Sequence, residues 1–216
     1  MSAADFSAAR KLYRDEARGT RAFVLARHML APLRSVAARV PAAGPVLDVG
    51  CGHGLFSLAL ASADPRRRIV GIDPSPAKIS VALRAGRGLP AVAFREGLVQ
   101  SIAGERFETI VVLDVLYLLP DPLKRSLLDA CRKLLAPGGV LLLKTNDTHP
   151  AWKYAVARAQ EKVMTGIGLT LGTGELHFRS CAENAALLRG AGFAPEIHHL
   201  AHWTPYPHTL FVARSI

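Results

Sequence analysis

Residues Val46-Leu-Asp-Val-Gly-Cys-Gly-His-Gly54 constrain this chain more than any other stretch, because an apolar run passes without a break into a loop with glycine at every second position. Val46, Leu47 and Val49 have the β-branched and apolar character of an interior strand. Gly50, Gly52 and Gly54 permit a tight turn and let a ligand approach bare backbone. A helix is predicted to start near Leu55. The phosphate-binding version of such a turn is spaced G-x-G-x-x-G, with pyrophosphate at the helix N-terminus. Here the glycines are evenly spaced, and Leu55 stands where the third would fall. Asp48 places a carboxylate at the strand end, which is unwelcome beside a pyrophosphate but suits a loop arranged around a cationic ligand. The pattern points to a nucleoside-bearing cofactor.

The signals continue downstream. Arg68-Ile-Val-Gly-Ile-Asp73 reads as a second strand ending in an acid. Asp73 lies roughly twenty residues past the glycine loop, the distance at which a carboxylate can accept both hydroxyls of a ribose. Pro74-Ser-Pro76 turns the chain into a helix predicted over 77–85. Residues 107–114 read as a fourth strand ending at Asp114 and entering Val115-Leu-Tyr-Leu-Leu-Pro-Asp121. Apolar residues at 123, 127, 128, 134 and 135 predict a helix, which stops at Pro137-Gly-Gly139 before a strand at 140–143. A last strand is predicted at 209–213.

In this order, the glycine loop, Asp73, the strand ending at Asp114 and Pro137-Gly-Gly139 resemble the motifs of the class I S-adenosylmethionine-dependent methyltransferases, over most of the chain. The resemblance implies an α/β fold: a doubly wound, seven-stranded Rossmann-like sheet with its last strand antiparallel, plus N-terminal helices. It implies S-adenosyl-L-methionine as cofactor and S-adenosyl-L-homocysteine as product. It also implies a cofactor site at Asp48, Gly50, Cys51, Gly52, Gly54, Asp73, Pro74, Gly97, Leu98 and Asp114. Asp114 reads either as facing the methionine end of the cofactor or as a structural strand-end carboxylate. One position departs from the family. Phe94-Arg-Glu-Gly-Leu98 carries leucine where an acid commonly receives the adenine amino group, so Gln100, Ser101, or backbone and apolar contacts must serve instead.

A chain of 216 residues, half of them apolar, supports one compact domain spanning 1–216. Residues 1–44 read as a helical extension or lid, and 146–180 as a substrate-side insertion. No apolar run approaches the roughly 20 residues needed to cross a bilayer. The first twenty residues carry charges at Asp5, Arg10, Lys11, Arg14, Asp15, Glu16 and Arg18, unlike a secretory leader, so a cytoplasmic protein is expected. Three cysteines, at 51, 131 and 181, are too far apart to suggest a disulfide framework or a zinc site, and no metal is expected. A formal net charge of +10 invites a nucleic-acid reading. The basic residues are scattered, however, with Arg66-Arg67-Arg68 as the one tight run, read as a solvated loop. There is no N-P-P-Y or D-P-P-Y stretch after the fourth strand and no aromatic module for stacking bases, so nucleic acid is not the expected partner.

The segments outside the common core should choose the acceptor. Residues 20–39 carry an apolar helical stripe at Phe23, Ala26, Leu30, Leu33 and Ala37, and Phe6, Tyr13 and Phe23 are candidates for an apolar wall. In 146–177, Trp152, Tyr154, Val156, Val163 and Met164 fall on a predicted helix. Gly166, Gly168, Gly172 and Gly174 then form a glycine-rich stretch suited to opening and closing. A base helps where the acceptor is a hydroxyl, and the candidates are His177, Tyr117 and His149. His53 is read as shaping the loop. His198, His199, His202 and His208 are read as surface histidines. Leu176-His-Phe-Arg179 and Pro205-Tyr-Pro-His208, with the glycine loop, resemble small bacterial biosynthetic methyltransferases, some of aryl polyene or polyketide pathways. That implies O-methylation of a phenol or carboxyl on a small acceptor, free or tethered to an acidic acyl carrier protein. The competing expectations are an RNA-modifying methyltransferase and a non-catalytic cofactor-binding subunit.

Overall fold

The computed structural model describes residues 3–166, 176–200 and 203–216. Seven strands form one sheet: β1 (Val46–Val49), β2 (Ile69–Asp73), β3 (Val92–Glu96), β4 (Phe107–Leu113), β5 (Leu135–Asn146), β6 (Phe193–His199) and β7 (His208–Ser215), in the order β3-β2-β1-β4-β5-β7-β6. The first five pair in parallel, and β7 is antiparallel to both β5 and β6. Strand order reverses at β1, with β2 and β3 added on one side and β4 and β5 on the other, so the loops leaving the parallel strands β1, β2 and β4 open together at the carboxyl edge, where such sheets bind ligands.

Each central strand is apolar on both sides because helices cover both sides. Val46, Ile69, Val111, Leu113, Val140 and Leu142 pack on one side, against α1 (Phe6–Lys11), α2 (Arg18–Leu30), α3 (Leu33–Ala37), α4 (Leu55–Ala63) and α5 (Pro76–Ala85). Leu47, Val70, Ile110, Val112, Leu141 and Leu143 point the other way, to α6 (Asp121–Leu134) and α8 (Cys181–Gly190). A further helix, α7 (Ala151–Gly166), follows β5. Among the described residues no helix is long and apolar enough to cross a membrane.

Three details differ from the sequence-based expectation. The stripe at 20–39 forms two helices, because Pro32 gives no amide to a continuing helix and Ala31 before it is extended. Pro137-Gly-Gly139 lies inside β5: Leu135 pairs with Phe107 and Val140 with Thr109, so the extra residues bulge out. Glycine is needed there, since Gly138 has φ +76° and a Cβ on Gly139 would lie 2.9 Å from the Ala136 carbonyl and 3.1 Å from that of Glu108. Arg67 is buried and donates to the Ala42 carbonyl, whereas Arg66 and Arg68 are exposed.

Gly139→Ala is expected to lower stability by about 1–3 kcal/mol, because both close neighbours are backbone atoms that cannot swing aside. A urea unfolding midpoint equal to that of the unaltered chain would refute this.

Candidate active site

The glycine loop is shaped by what its backbone amides donate to. Gly50, Gly52 and Gly54 have φ of +72°, +57° and +84°, conformations that glycine adopts without steric cost. The amides of Gly50 and Cys51 donate to the Ile72 carbonyl at 2.8 and 3.1 Å, and that of Gly52 donates to Asp73 Oδ2 at 2.9 Å. Asp73 Oδ1 accepts the Ser75 amide at 2.9 Å. The acid ending β2 thus fixes the loop after β1 and the start of α5 together. A Cβ on Gly50 would meet Val115 Cγ2 at 2.3 Å, which forbids any larger residue.

Below the loop, Asp48 is buried and accepts a 2.7 Å hydrogen bond from Ser57 of α4. Burial pushes its carboxyl up to about 6 despite that bond and the influence of Arg27. Tyr13 donates to the His53 carbonyl at 2.7 Å, tying the N-terminal segment to the loop. Burial, followed by nearby Lys78, lowers the His53 imidazole below its ordinary value, and its ring lies 5.0 Å from that of Phe23.

A cavity of about 520 Å³ opens at this edge. Asp48, Gly50, Cys51, Gly52, Asp73, Pro74, Gly97, Leu98 and Asp114 line it, and Gly54 lies between lining residues His53 and Leu55. Gln100 also lines it, while the Ser101 hydroxyl turns to the Leu98 carbonyl at 2.7 Å. Phe23, Val24 and Leu30 of α2 and Ala157 and Gln160 of α7 form further wall. Phe6 and Tyr13, expected beside Phe23, are instead buried in the core.

Of the three base candidates, Tyr117 lines the cavity, with its ring stacked on Phe178 at 4.5 Å. His177 and His149 do not. His177 fastens the chain through its backbone: its amide donates to the Tyr117 carbonyl and its carbonyl accepts from buried Lys124, both at 2.7 Å. His149 is exposed, its Nδ1 3.2 Å from the Thr148 hydroxyl. The glycine-rich stretch expected to move lies, beyond Gly166, outside the described residues, as does His202.

Sequence reasoning missed a polar corner of this cavity. Asp114, at φ +59°, accepts from Arg27 Nη1 through Oδ2 and from Lys144 Nζ through Oδ1, each at 2.6 Å. Burial alone would raise the Asp114 carboxyl, but Lys144 and Arg27 outweigh it and hold the group well below the usual carboxylate range. Asn146 Oδ1 lies 3.4 Å from Lys144 Nζ and 2.9 Å from His208 Nδ1. His208 is buried on the cavity, not at the surface as expected, because as the first residue of β7 it pairs with Asn146 on β5, and its Nε2 lies against the Leu30 carbonyl and the Thr204 hydroxyl. Among the described residues no cluster of three or more His, Cys, Asp or Glu could hold a metal.

A family model described as a methyltransferase domain matches residues 46–139. The ubiquinone biosynthesis O-methyltransferase of Xanthomonas axonopodis pv. citri (strain 306) is 36% identical over 180 residues, covering 78% of this chain and 72% of that protein. This chain belongs to the class I S-adenosylmethionine-dependent methyltransferases. A like-named methyltransferase of Xylella fastidiosa (strain 9a5c) is 38% identical over 175 residues, covering 76% of this chain and 68% of its own length. A solved structure of a pyocyanin biosynthetic protein has the same fold, with a TM-score of 0.72 at 20% identity over 98% of this chain. This methyltransferase spans 62% of that structure's chain.

S-adenosylmethionine is the cofactor of the family, and the residues present fit it. Bare backbone at Gly52 has no atom within 4 Å of where a Cβ would stand, and Asp73 sits beside it at the strand end. The carboxylates of Asp48 and Asp73 on the wall suit a cationic nucleoside rather than a pyrophosphate.

The Asp48 shift sets a pH dependence. Its carboxyl titrates near 3.8 in the unfolded chain and near 6 in the fold, so the folded state binds more protons between these values. Its contribution to stability is present below about pH 4 and is lost as pH rises through 6. Asp48→Asn is therefore expected to match the unaltered protein at pH 4 and to exceed it at pH 7, by up to about 3 kcal/mol. Parallel stability curves from pH 4 to 7 would sink this account.

Proposed function

We propose that this methyltransferase O-methylates a small, largely apolar acceptor carrying a phenolic or carboxylic oxygen, in a biosynthetic pathway. One observation carries the reading: the cavity that holds Asp48 and Asp73 continues beneath α2 and α7 past Phe23, Leu30, Leu118 and Ala157, leaving apolar wall beyond the cofactor residues. The printed names of the relatives, O-methyltransferases of ubiquinone biosynthesis, support oxygen as the acceptor atom.

When bound, S-adenosylmethionine supplies a methyl group already carried on a good leaving group, so the protein's task is alignment and exclusion of water. In this reading Asp73 holds the ribose, and Gly97, Leu98 and Gln100 border the adenine. The Gly50–Gly54 turn and Asp48 face the methionine portion, and Asp114 with its two cations meets the acceptor side. Phe23 and Leu30 from residues 1–44, and Ala157 and Gln160 from residues 146–180, cover the acceptor, giving the extension and the insertion their use. Tyr117 stands against the acceptor as a positioning group. Delivery on an acidic acyl carrier protein is the finer version, supported by the net charge of +10.

Methyl-labelled S-adenosylmethionine, incubated with the protein and small-molecule extract, acyl-loaded carrier proteins or total RNA in turn, is expected to label the first pool, and the second if the acceptor is tethered. Label confined to RNA would overturn the reading. Asp73→Ala removes an acceptor of two backbone amides together with the ribose contact. It is expected to weaken cofactor binding about 10- to 100-fold by calorimetry.

A further inference from the structure

We propose that Lys144 is a catalytic residue of this methyltransferase: its ammonium, set by Asp114, Asn146 and Arg27, binds the acceptor's reacting hydroxyl as the oxyanion, so that the site selects acidic hydroxyls, phenols above all. The proposal rests on the O-methylation reading and names the acceptor chemistry within it.

Register makes Lys144 anomalous. Alternation along β5 sends Val140 and Leu142 into the core beneath α1 to α5, and residue 144 belongs to the same side. An aliphatic residue there would continue that core, and buried ion pairs are seldom better for stability than packed hydrophobes. The lysine side chain is 2% exposed, yet it lines the cavity.

Its surroundings are built to hold it. The Asp114 amide donates to the Lys144 carbonyl at 2.9 Å, and the left-handed turn at Asp114 then brings that carboxylate to Lys144 Nζ. Among the described residues Asp114 is the non-glycine residue with positive φ, a conformation that persists where surrounding structure enforces it. Asn146 supports Lys144 from the same strand and meets His208, whose Nε2 lies 3.2 Å from the Leu30 carbonyl. Arg27 takes the other Asp114 oxygen. The polar circuit therefore starts and ends on α2, and it positions Lys144 from both sides.

Among the described residues of this corner, the groups that could take a proton are already committed. Asp114 is held so far below the carboxylate range that it stays ionised at neutral pH. Both ring nitrogens of His208 lie within hydrogen-bond distance of oxygens of Asn146, Leu30 and Thr204, and His149 and His177 lie off the cavity. Charge stabilisation of the oxygen replaces a base. The acceptor hydroxyl loses its proton to solvent on binding beside Lys144. An oxygen lone pair then forms the O–C bond as the C–S bond breaks, and that electron pair stays on sulfur. Preorganised cations at a developing or resident oxyanion are a strong form of such stabilisation in a water-excluded site.

The test uses 4-nitrocatechol and 4-nitrophenol, whose ionised forms absorb at longer wavelength than the neutral phenols, titrated against the full-length protein with S-adenosylhomocysteine present. Binding to the unaltered protein is expected to lower the probe's apparent pKa by at least about one unit, a tenfold preference for the anion. Lys144→Met should abolish that shift and Lys144→Arg should keep part of it, with S-adenosylmethionine affinity changed less than about threefold in both. No shift on the unaltered protein, or no binding of either probe, overturns the proposal without recourse to any variant. So does a tenfold loss of cofactor affinity in the two variants, which would assign Lys144 to the cofactor. Labelling of nitrogen acceptors alone, with the probe shift intact, would refute O-methylation while leaving the oxyanion site standing.

Discussion

A loop of alternating glycines has almost no side chain with which to pack, so its shape depends on where its amide hydrogens go. In this protein they go to the end of β2: the Ile72 carbonyl takes two and the Asp73 carboxylate takes a third. Those bonds hold the turn between β1 and α4 open, and the same carboxylate caps the entry to α5. The cavity follows from that arrangement, because side chains removed from the turn leave room at the sheet edge that α2 and α7 then roof over.

Charge is distributed along that edge with two outcomes. Asp48, buried with one hydroxyl donor and little else, is pushed up toward neutrality. Asp114, equally buried, is driven the opposite way by two cations within hydrogen-bond distance. The difference lies in which residues the fold brings alongside: α4 offers Asp48 a serine, whereas α2 and β5 offer Asp114 an arginine and a lysine. The cavity lining thus carries one acid that burial makes protonatable and another that two cations hold ionised.

The parallel half of the sheet was legible because its signals are local. A two-sided buried strand reads as a continuous apolar run, a left-handed turn demands glycine, and an acid at a strand end is conspicuous among aliphatics. Pro137-Gly-Gly139 was read as the stop between helix and strand, but its use in the fold is a bulge against Glu108, a contact across strands that no local window contains. The histidines show the limit most clearly. His177 sits in a suggestive loop and acts in the fold through its backbone, while His208, which looks like one of several surface histidines, is buried at the cavity.

By itself, the sequence determined the strand, glycine turn and helix start at 46–55, the acid at 73, the succession of the parallel strands along the chain and, through their resemblance to a family, the cofactor. Each of these is written within a few residues, since backbone conformation and strand burial are set by neighbours along the chain. Only the tertiary structure decided that Arg27, Asp114, Lys144, Asn146 and His208 form one corner. Those residues come from α2, the end of β4, β5 and β7, spread over more than 180 positions of sequence. Their meeting depends on the antiparallel pairing of β7 with β5, which sets Asn146 opposite His208, and on α2 lying across the sheet edge, and neither has a local signature in the chain.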